Sequence, residues 1–490
     1  QQHRRNPSSG LTGSQQVRLS SLARDLACMN GLLLKDNPAS SSSGSAAPDR
    51  CMMAPITLVP SSFSKEAFNQ AVELQALFNS LYHRVSRDHN FLCRVIPPAA
   101  ESDSFLSALW DMYQTVRQSG ADQPITLALN RADYMLDEEA GLKQVEINLM
   151  ASSFGGLAQR LSTVHRQVMS AAGVSERQLA HRLPDNRPAE TFGEAFIQAF
   201  KLYGRPEAAI LFVVSPDERN IFDQRTLEAE IYAADASSDS PVHVPQILRR
   251  SFDQIASSAR LEESSGRLYL ADQEVAIVYY RHGYSPDHFS DPAGVAWSAK
   301  LLMERSRAIK CPSLAYMLAN TKAVQAALCE PGAVARYLPG KSAKVEATFV
   351  DQCVLSDSRA HRWLLADPED FVLKPQREGG GNNIYGRDVV DFASRLTTRQ
   401  SAAYILMRRI RPQQQVSLML KADQRLSRRP EMPLCVSAIS ELGIYGALVA
   451  KNNSERLNCS AGHVLRTKSA FTDEGGVATG FSCIDTVYLV

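Results

Sequence analysis

No two of the nine cysteines stand as C-x-x-C; they fall singly at 28, 51, 93, 311, 329, 353, 435, 459 and 483. An odd number of scattered thiols excludes a disulfide framework and a zinc ribbon and fits a reducing compartment. Long hydrophobic runs are missing too. The longest, AAILFVV (208–214) and VAIVYY (275–280), are far short of the roughly 18 residues that span a bilayer. Neither sign of charge dominates, because 53 Lys and Arg face 52 Asp and Glu. With no global field to draw a polyanion, nucleic acid is excluded as a main partner and any basic site is local. The ten histidines form no HExxH, and neither a Walker loop, a kinase-type GxGxxG nor a fixed-period repeat is present.

What is present is an ordinary globular composition, 490 residues with 44% hydrophobic and 21% charged. That is enough for a sizeable core and two or three domains. The start, QQHRRNPSSGLTGSQQVRLSSLARDL, has no acid before Asp25 and is rich in Arg and Ser. It resembles a processed transit peptide, and a shortened chain explains it equally well. PASSSSGSAAP (38–48) and SSDSP (237–241) have too little apolar surface to repay ordering and read as surface loops. In KEAFNQAVELQALFNSL (65–81), Phe68, Val72, Leu74, Leu77 and Phe78 fall near one helical face, and a second helix is expected around 104–117. AAILFVV followed by SPDERN and TLEAEIYAA reads as a βα unit of a parallel sheet, and VAIVYYRHGY (275–284) as a second strand. Both strands end in polar clusters, where open α/β sheets bind ligands.

Three stretches carry chemistry. FVLKPQREGGGNNIYGRDVVDF (371–392) is expected to deliver Lys374 from a strand, let bare backbone approach a ligand at GGG, and then begin a helix. Polyphosphate suits that arrangement, and the plain alternative is a surface turn. In QVEINLMASSFGG (144–156), a strand would place Gln144, Glu146 and Asn148 on one face, about 7 Å between alternate residues. Oxygen ligands so spaced suit magnesium, with Glu378 as a further carboxylate; a solvated strand face is the alternative. In GHVLRTKSAFTDEGGVATG (462–480), Arg466 and Lys468 share a face if extended, one offering a fork for carboxylate and the other a point charge for phosphate. Arg131 reads as lying at the end of an alternating strand. Lys322 stands at a helix start, where a cation opposes the macrodipole and a nearby anion would rationalise it; a surface lysine in water is the plain alternative. His165 and His463 read as structural.

Taken in order, LNRADYM, QVEIN with SSFGGLAQR, ERNIFDQR, KPQREGGGNNIYG, ISELGIYG and VLRTKSA with EGGVATG resemble the eukaryotic glutathione synthetase family, from about Ala23 to Val490. The resemblance implies an α/β chain with an ATP-grasp fold, an inserted parallel α/β substrate-binding domain and a Gly-rich lid. It divides the chain at 1–206, 207–318 and 319–490. It implies a homodimeric, cytoplasmic enzyme, with organellar import left open, that joins γ-glutamylcysteine to glycine using ATP and Mg²⁺.

Carried over by position, the resemblance puts magnesium ligands at Glu146, Asn148 and Glu378. Nucleotide contacts fall on Lys322, Lys374, Pro375, Gln376, Arg377, Glu378, Gly379, Gly380, Gly381, Asn382, Asn383, Tyr385, Met407, Arg408, Arg409, Ile410, Glu441, Lys468 and Glu474. Peptide contacts fall on Arg131, Met150, Ala151, Ser152, Ser153, Glu218, Arg219, Asn220, Gln224, Arg281, His282, Gly283, Tyr284, Arg466, Val477 and Ala478. The groups expected to act on the reacting anions are Arg131, Lys322, Lys374 and Arg466. Three positions depart from the pattern: His282 replaces the Asp of RDGY, Ala151 stands where Ser is common, and Arg408 replaces a Glu or Gln. Ala478 and Thr479 resemble the glycine-specific form, whereas homoglutathione enzymes, which accept β-alanine, carry Leu-Pro there. A catalytically inactive ATP-grasp relative acting as a binding protein is the non-enzyme alternative.

Overall fold

The computed structural model describes residues 7–36, 50–121, 123–236, 245–377, 381–421, 432–472, 476–477 and 480–490. The expected loops at 38–48 and 237–241 lie outside the described residues.

The spine is a long antiparallel hairpin, Leu434–Lys451 with Ser454–Ser469. Two asparagines make its turn, Asn452 at φ +55°, a left-handed conformation that Asn tolerates best among residues with a Cβ. On one edge the hairpin pairs with Ile125–Asp137, which pairs with Gly141–Asn148. On the other it reaches Ser482–Asp485, Ile56–Thr57 and Gln415–Leu420, which returns to the first hairpin strand and completes a seven-stranded sheet. The two faces bury different cores. Phe78, Leu81, Ile444 and Leu448 belong to one, under the helix Lys65–Arg87. Phe192, Phe196, Ala447 and Val449 belong to the other, under Pro188–Tyr203. Ser64 caps the 65–87 helix by accepting the Ala67 N–H. A helix, His89–Ala100, follows it before the expected one at Ser104–Gln118; Pro97 and Pro98 in its last turn hid it from periodicity.

The second sheet holds the expected βα unit: Ala209–Val213, buried at every residue, leads through the 214–220 loop into the helix Ile221–Ala236. Gln273–Tyr280 lies parallel beside it; Ile247–Arg250 pairs parallel with Ala209–Val213, and Ile309–Cys311 parallel with Gln273–Tyr280. Beside these parallel pairings, Arg267–Leu270 and Ala259–Glu262 add to Gln273–Tyr280 as an antiparallel meander, so the sheet expected to be parallel is mixed. A third sheet, all antiparallel, runs Gln352–Val354, Tyr404–Arg408, Phe371–Pro375, Ile384–Tyr385. It faces the 125–148 edge of the first sheet across a cleft.

Two expectations about strands need correction. Arg131 sits in the middle of Ile125–Asp137, not at its end, and the strand does not alternate: Leu127 to Tyr134 are all buried. Gln144 does not share a face with Glu146. The pairing shifts register between Asp133 and Tyr134, so Tyr134 opposes Gln144 while Asp133 opposes Glu146. One extra residue, Val145, is accommodated there, and a bulge of one residue reverses the face of everything beyond it. Gln144 therefore points into the core, 2% exposed.

Candidate functional site

Between the first and third sheets lies a cavity of about 650 Å³. The strand Phe371–Pro375 brings Lys374 to it, the 404–410 segment brings Met407, Arg408, Arg409 and Ile410, and the 383–385 segment brings Asn383 and Tyr385. From the opposite sheet come Arg131, Glu146 and Asn148, together with Glu441, Arg466 and Lys468 on the long hairpin. Lys322, first residue of the helix Lys322–Leu328, closes the group. These residues, spread from Arg131 to Lys468 in sequence, meet only in the fold. A wider depression of about 800 Å³ lies elsewhere, against Arg84, Arg87 and Arg117, and none of the expected site residues line it.

Lys322 is buried with Nζ 3.0 Å from Glu146 Oε2, so the anion its unfavourable helix position demanded is there. Burial alone would raise the Glu146 carboxyl, but Lys322 and Lys374 outweigh it and hold the group at about 2. Lys374 Nζ also donates to the Val145 carbonyl at 3.3 Å. Behind them is a denser network around Asp133, which sequence reasoning missed. Its carboxylate, wholly buried, accepts from Arg131 Nε (2.6 Å) and Nη2 (2.8 Å), Arg466 Nη2 (2.8 Å) and Asn148 Nδ2 (2.8 Å). The signal was available, since Arg131 and Asp133 are two apart on one strand. Burial would lower both guanidiniums, yet carboxylates beside them raise both: Asp133 acts on Arg131, Glu441 and Asp133 on Arg466. Arg466 also contacts Glu441, whose own carboxyl is pushed up by burial. Gly443 makes room for this network, because a Cβ there would lie 2.7 Å from Arg131 Cδ and 2.8 Å from Asp133 Oδ1.

The expected peptide contacts form an adjoining group. Ser153 is its hub: its carbonyl accepts from Arg131 Nη1 (3.3 Å) and the Tyr445 hydroxyl (2.6 Å), and its Oγ accepts from Arg281 Nη2 (2.9 Å). Tyr445 is a second residue missed from sequence. Ala151 holds φ +46°, and Ser152 Oγ donates to the Asn148 carbonyl. Met150 and Val477 are packed in the apolar cores. Glu218 accepts from the Asn220 backbone N–H (2.8 Å) and Gln224 Nε2 (2.6 Å). Arg219 bonds the Lys35 carbonyl instead. Gln376 is buried and caps the Lys322 helix by accepting the Ala323 N–H.

The three departures also find places. His282 does not line the cavity; its ring stacks on His288, centroids 3.8 Å apart. Arg408 is tied to Asp351 (3.1 Å) and Asp370 (3.0 Å) and lies over Phe371, while its backbone stays in the strand. Ala151 is described above. Glu378, Gly379, Gly380, Glu474 and Ala478 lie outside the described residues, and Gly381 and Asn382 are described but do not line the cavity. His165 is structural, its nitrogens held by Thr486 Oγ1 (2.6 Å) and the Thr57 carbonyl (2.8 Å). His463 is buried edge-on to Phe68.

The family described as eukaryotic glutathione synthase, ATP binding domain, matches residues 13–489. The glutathione synthetases of Bos taurus and Homo sapiens are each 38% identical to the chain, covering 97% and 98% of it and 98% of their own length. The chloroplastic glutathione synthetase of Solanum lycopersicum is 37% identical over 94% of this chain and 82% of its own. Among solved structures, a glutathione synthetase-like effector from Globodera pallida in its apo form superposes with a TM-score of 0.77 over 99% of both chains at 22% identity, which speaks to the fold alone. At this identity over nearly the whole length, the chain belongs to the eukaryotic glutathione synthetase family.

Proposed function

We propose that this chain, an ATP-dependent ligase of glutathione synthesis, phosphorylates the cysteinyl carboxylate of γ-glutamylcysteine and passes the acyl group to glycine. A carboxylate oxygen attacks the γ-phosphorus and the bond to ADP breaks. The glycine nitrogen then attacks the acyl carbon, the bond to phosphate breaks, and the amine proton is lost. Glutathione, ADP and phosphate result.

The observation that carries this reading is the meeting of Lys322, Lys374, Arg131 and Arg466 in one cavity with ionised Glu146. Two anions, a carboxylate and a polyphosphate, must approach each other, and fixed cations in a partly enclosed site offset that repulsion most strongly where charge develops. The Nε–H groups of Arg466 and Arg281 are buried with no acceptor among the described residues, so neither guanidinium is fully satisfied by the fold itself. In the ATP-grasp architecture this reading implies, the strands Phe371–Pro375 and Tyr404–Arg408 take the nucleotide. The same reading implies a glycine-rich lid, of whose glycines Gly381 (φ +93°) and Gly476 (φ +124°) are among the described residues.

The donor set fits magnesium. Glu146 is an anionic oxygen ligand, and Asn148, whose Nδ2 is engaged by Asp133, has its side-chain Oδ1 to offer a cation. Glu146 and Asn148 would hold it, with Glu378 as the third ligand, and the ion would neutralise polyphosphate charge. Homodimeric assembly belongs to the same reading. The test is ADP release with γ-glutamylcysteine and either glycine or β-alanine, each with and without Mg²⁺. Mg²⁺-dependent turnover favouring glycine is expected; silence with both acceptors removes the ligase, and preference for β-alanine changes the acceptor.

A further inference from the structure

The loop Arg281–Tyr284 that borders Ser153 is short, begins at the C-terminal end of a buried strand and contains a glycine at φ +96°. A Cβ at Gly283 would lie 2.9 Å from Phe252 Cζ, so the loop is pressed against the helix Phe252–Ser258 and cannot take another shape cheaply. Two of its backbone N–H groups, those of Gly283 and Tyr284, point to a single atom: His288 Nδ1, at 3.0 and 3.3 Å. That atom belongs to a residue outside the loop, in the turn Pro286–Phe289.

We propose that His288 is a positioning residue for peptide binding, its imidazole Nδ1 accepting both N–H groups and thereby fixing Arg281 and Tyr284 toward the substrate. This rests on the reading of 281–284 as peptide contacts. An imidazole nitrogen that accepts cannot carry a proton, so the ring must be the neutral Nε2–H tautomer. The surroundings enforce that. Burial, and then His282 stacked on the ring, push His288 down to about 4, against a smaller opposing pull from Asp287. Tyr284 also meets its ring edge-on, centroids 4.7 Å apart. Phe252 packs against His282 at a 45° tilt, centroids 5.8 Å apart, and burial lowers His282 against an opposing pull from Glu218. A histidine in place of an acid at 282 therefore has a use: it withholds the counter-charge that would protonate His288.

Three variants of the full-length enzyme test this. His288→Ala removes the acceptor and leaves two N–H groups unpaired, so the KM for γ-glutamylcysteine should rise roughly ten-fold while the KM for ATP and kcat hold. His288→Asn places an amide oxygen where Nδ1 stood and should restore the KM. His282→Asp should raise the acid-side inflection of kcat/KM for γ-glutamylcysteine, because an anion would stabilise the protonated ring. Hydrogen exchange of the 281–290 peptide gives a readout independent of turnover: faster in His288→Ala, normal in His288→Asn. If the alanine variant raises both KM values alike, or if asparagine fails as alanine does in the exchange measurement, the positioning role is wrong. If the exchange result holds but γ-glutamylcysteine drives no ADP release in the unaltered enzyme, it is the proposed reaction that fails.

Discussion

Replacing Asp133 with Asn keeps the shape of the side chain and removes its charge. The carboxylate is fully buried and takes four hydrogen bonds, from Arg131, Arg466 and Asn148. In the inner network, Arg131, Arg466, Lys322 and Lys374 face Asp133, Glu146 and Glu441, while further cations, Lys468, Arg408 and Arg409 among them, line the rest of the cavity. Asp133→Asn leaves four cations facing two carboxylates. It also turns an NH₂ toward at least one donor. Breaking a buried ion pair by removing one partner costs about 3–5 kcal/mol. Were all of that expressed in the transition state, kcat/KM would fall by about a hundred- to several-thousand-fold; any share expressed in the fold lowers the denaturation midpoint instead. The assay is coupled ADP release, with γ-glutamylcysteine and ATP varied separately, beside a urea titration of the same samples. Because Arg131 and Ser153 belong to the peptide side, the KM for γ-glutamylcysteine should move more than that for ATP. A variant with kcat/KM within about three-fold of the original and an unchanged midpoint would refute the view that Asp133 organises the two arginines.

Lys322→Met should free Glu146 from the cation that holds it down. A carboxyl whose folded pKa is depressed stabilises the protein above its unfolded value and loses that contribution as pH falls through the folded one. The original chain should therefore lose up to about 3 kcal/mol between about pH 4.5 and pH 2 from this group, and the variant, in which Lys374 still acts on Glu146, should show a smaller component when urea midpoints are followed against pH. Gly443→Ala puts a methyl against Arg131 and Asp133; overpacking of this kind costs about 1–3 kcal/mol, and ADP release should drop roughly ten-fold or more with the fold retained by circular dichroism. Chelating divalent ions with EDTA should abolish ADP release, and added Mg²⁺ should restore it; full activity in EDTA would dismiss Glu146 and Asn148 as ligands.

Much of the fold was legible because it follows from side-chain patterns. AAILFVV is apolar on both faces and is a central strand; Arg466 and Lys468 share a strand face, and both line the cavity. The misreadings share a cause, which is that a strand's partner is invisible from its own residues. The bulge at Val145 turned Gln144 inward, and the helices Pro188–Tyr203 and Lys65–Arg87, one on each side of the sheet, buried both faces of Ile125–Asp137 where alternation was expected. The family resemblance brought the cationic residues to one list, whereas Asp133, Tyr445 and His288 emerged only from geometry. They orient the residues that were expected, through contacts of 2.6 to 3.3 Å. Such supporting groups carry no motif of their own, since any acceptor at the right place would serve.

The most direct measurement follows an oxygen atom. γ-Glutamylcysteine labelled with ¹⁸O in its cysteinyl carboxylate is turned over with ATP and glycine, and the phosphate is analysed by mass spectrometry. One labelled oxygen in each phosphate released is expected, because the carboxylate itself takes the phosphoryl group in this cavity. Unlabelled phosphate alongside normal glutathione formation would contradict that chemistry.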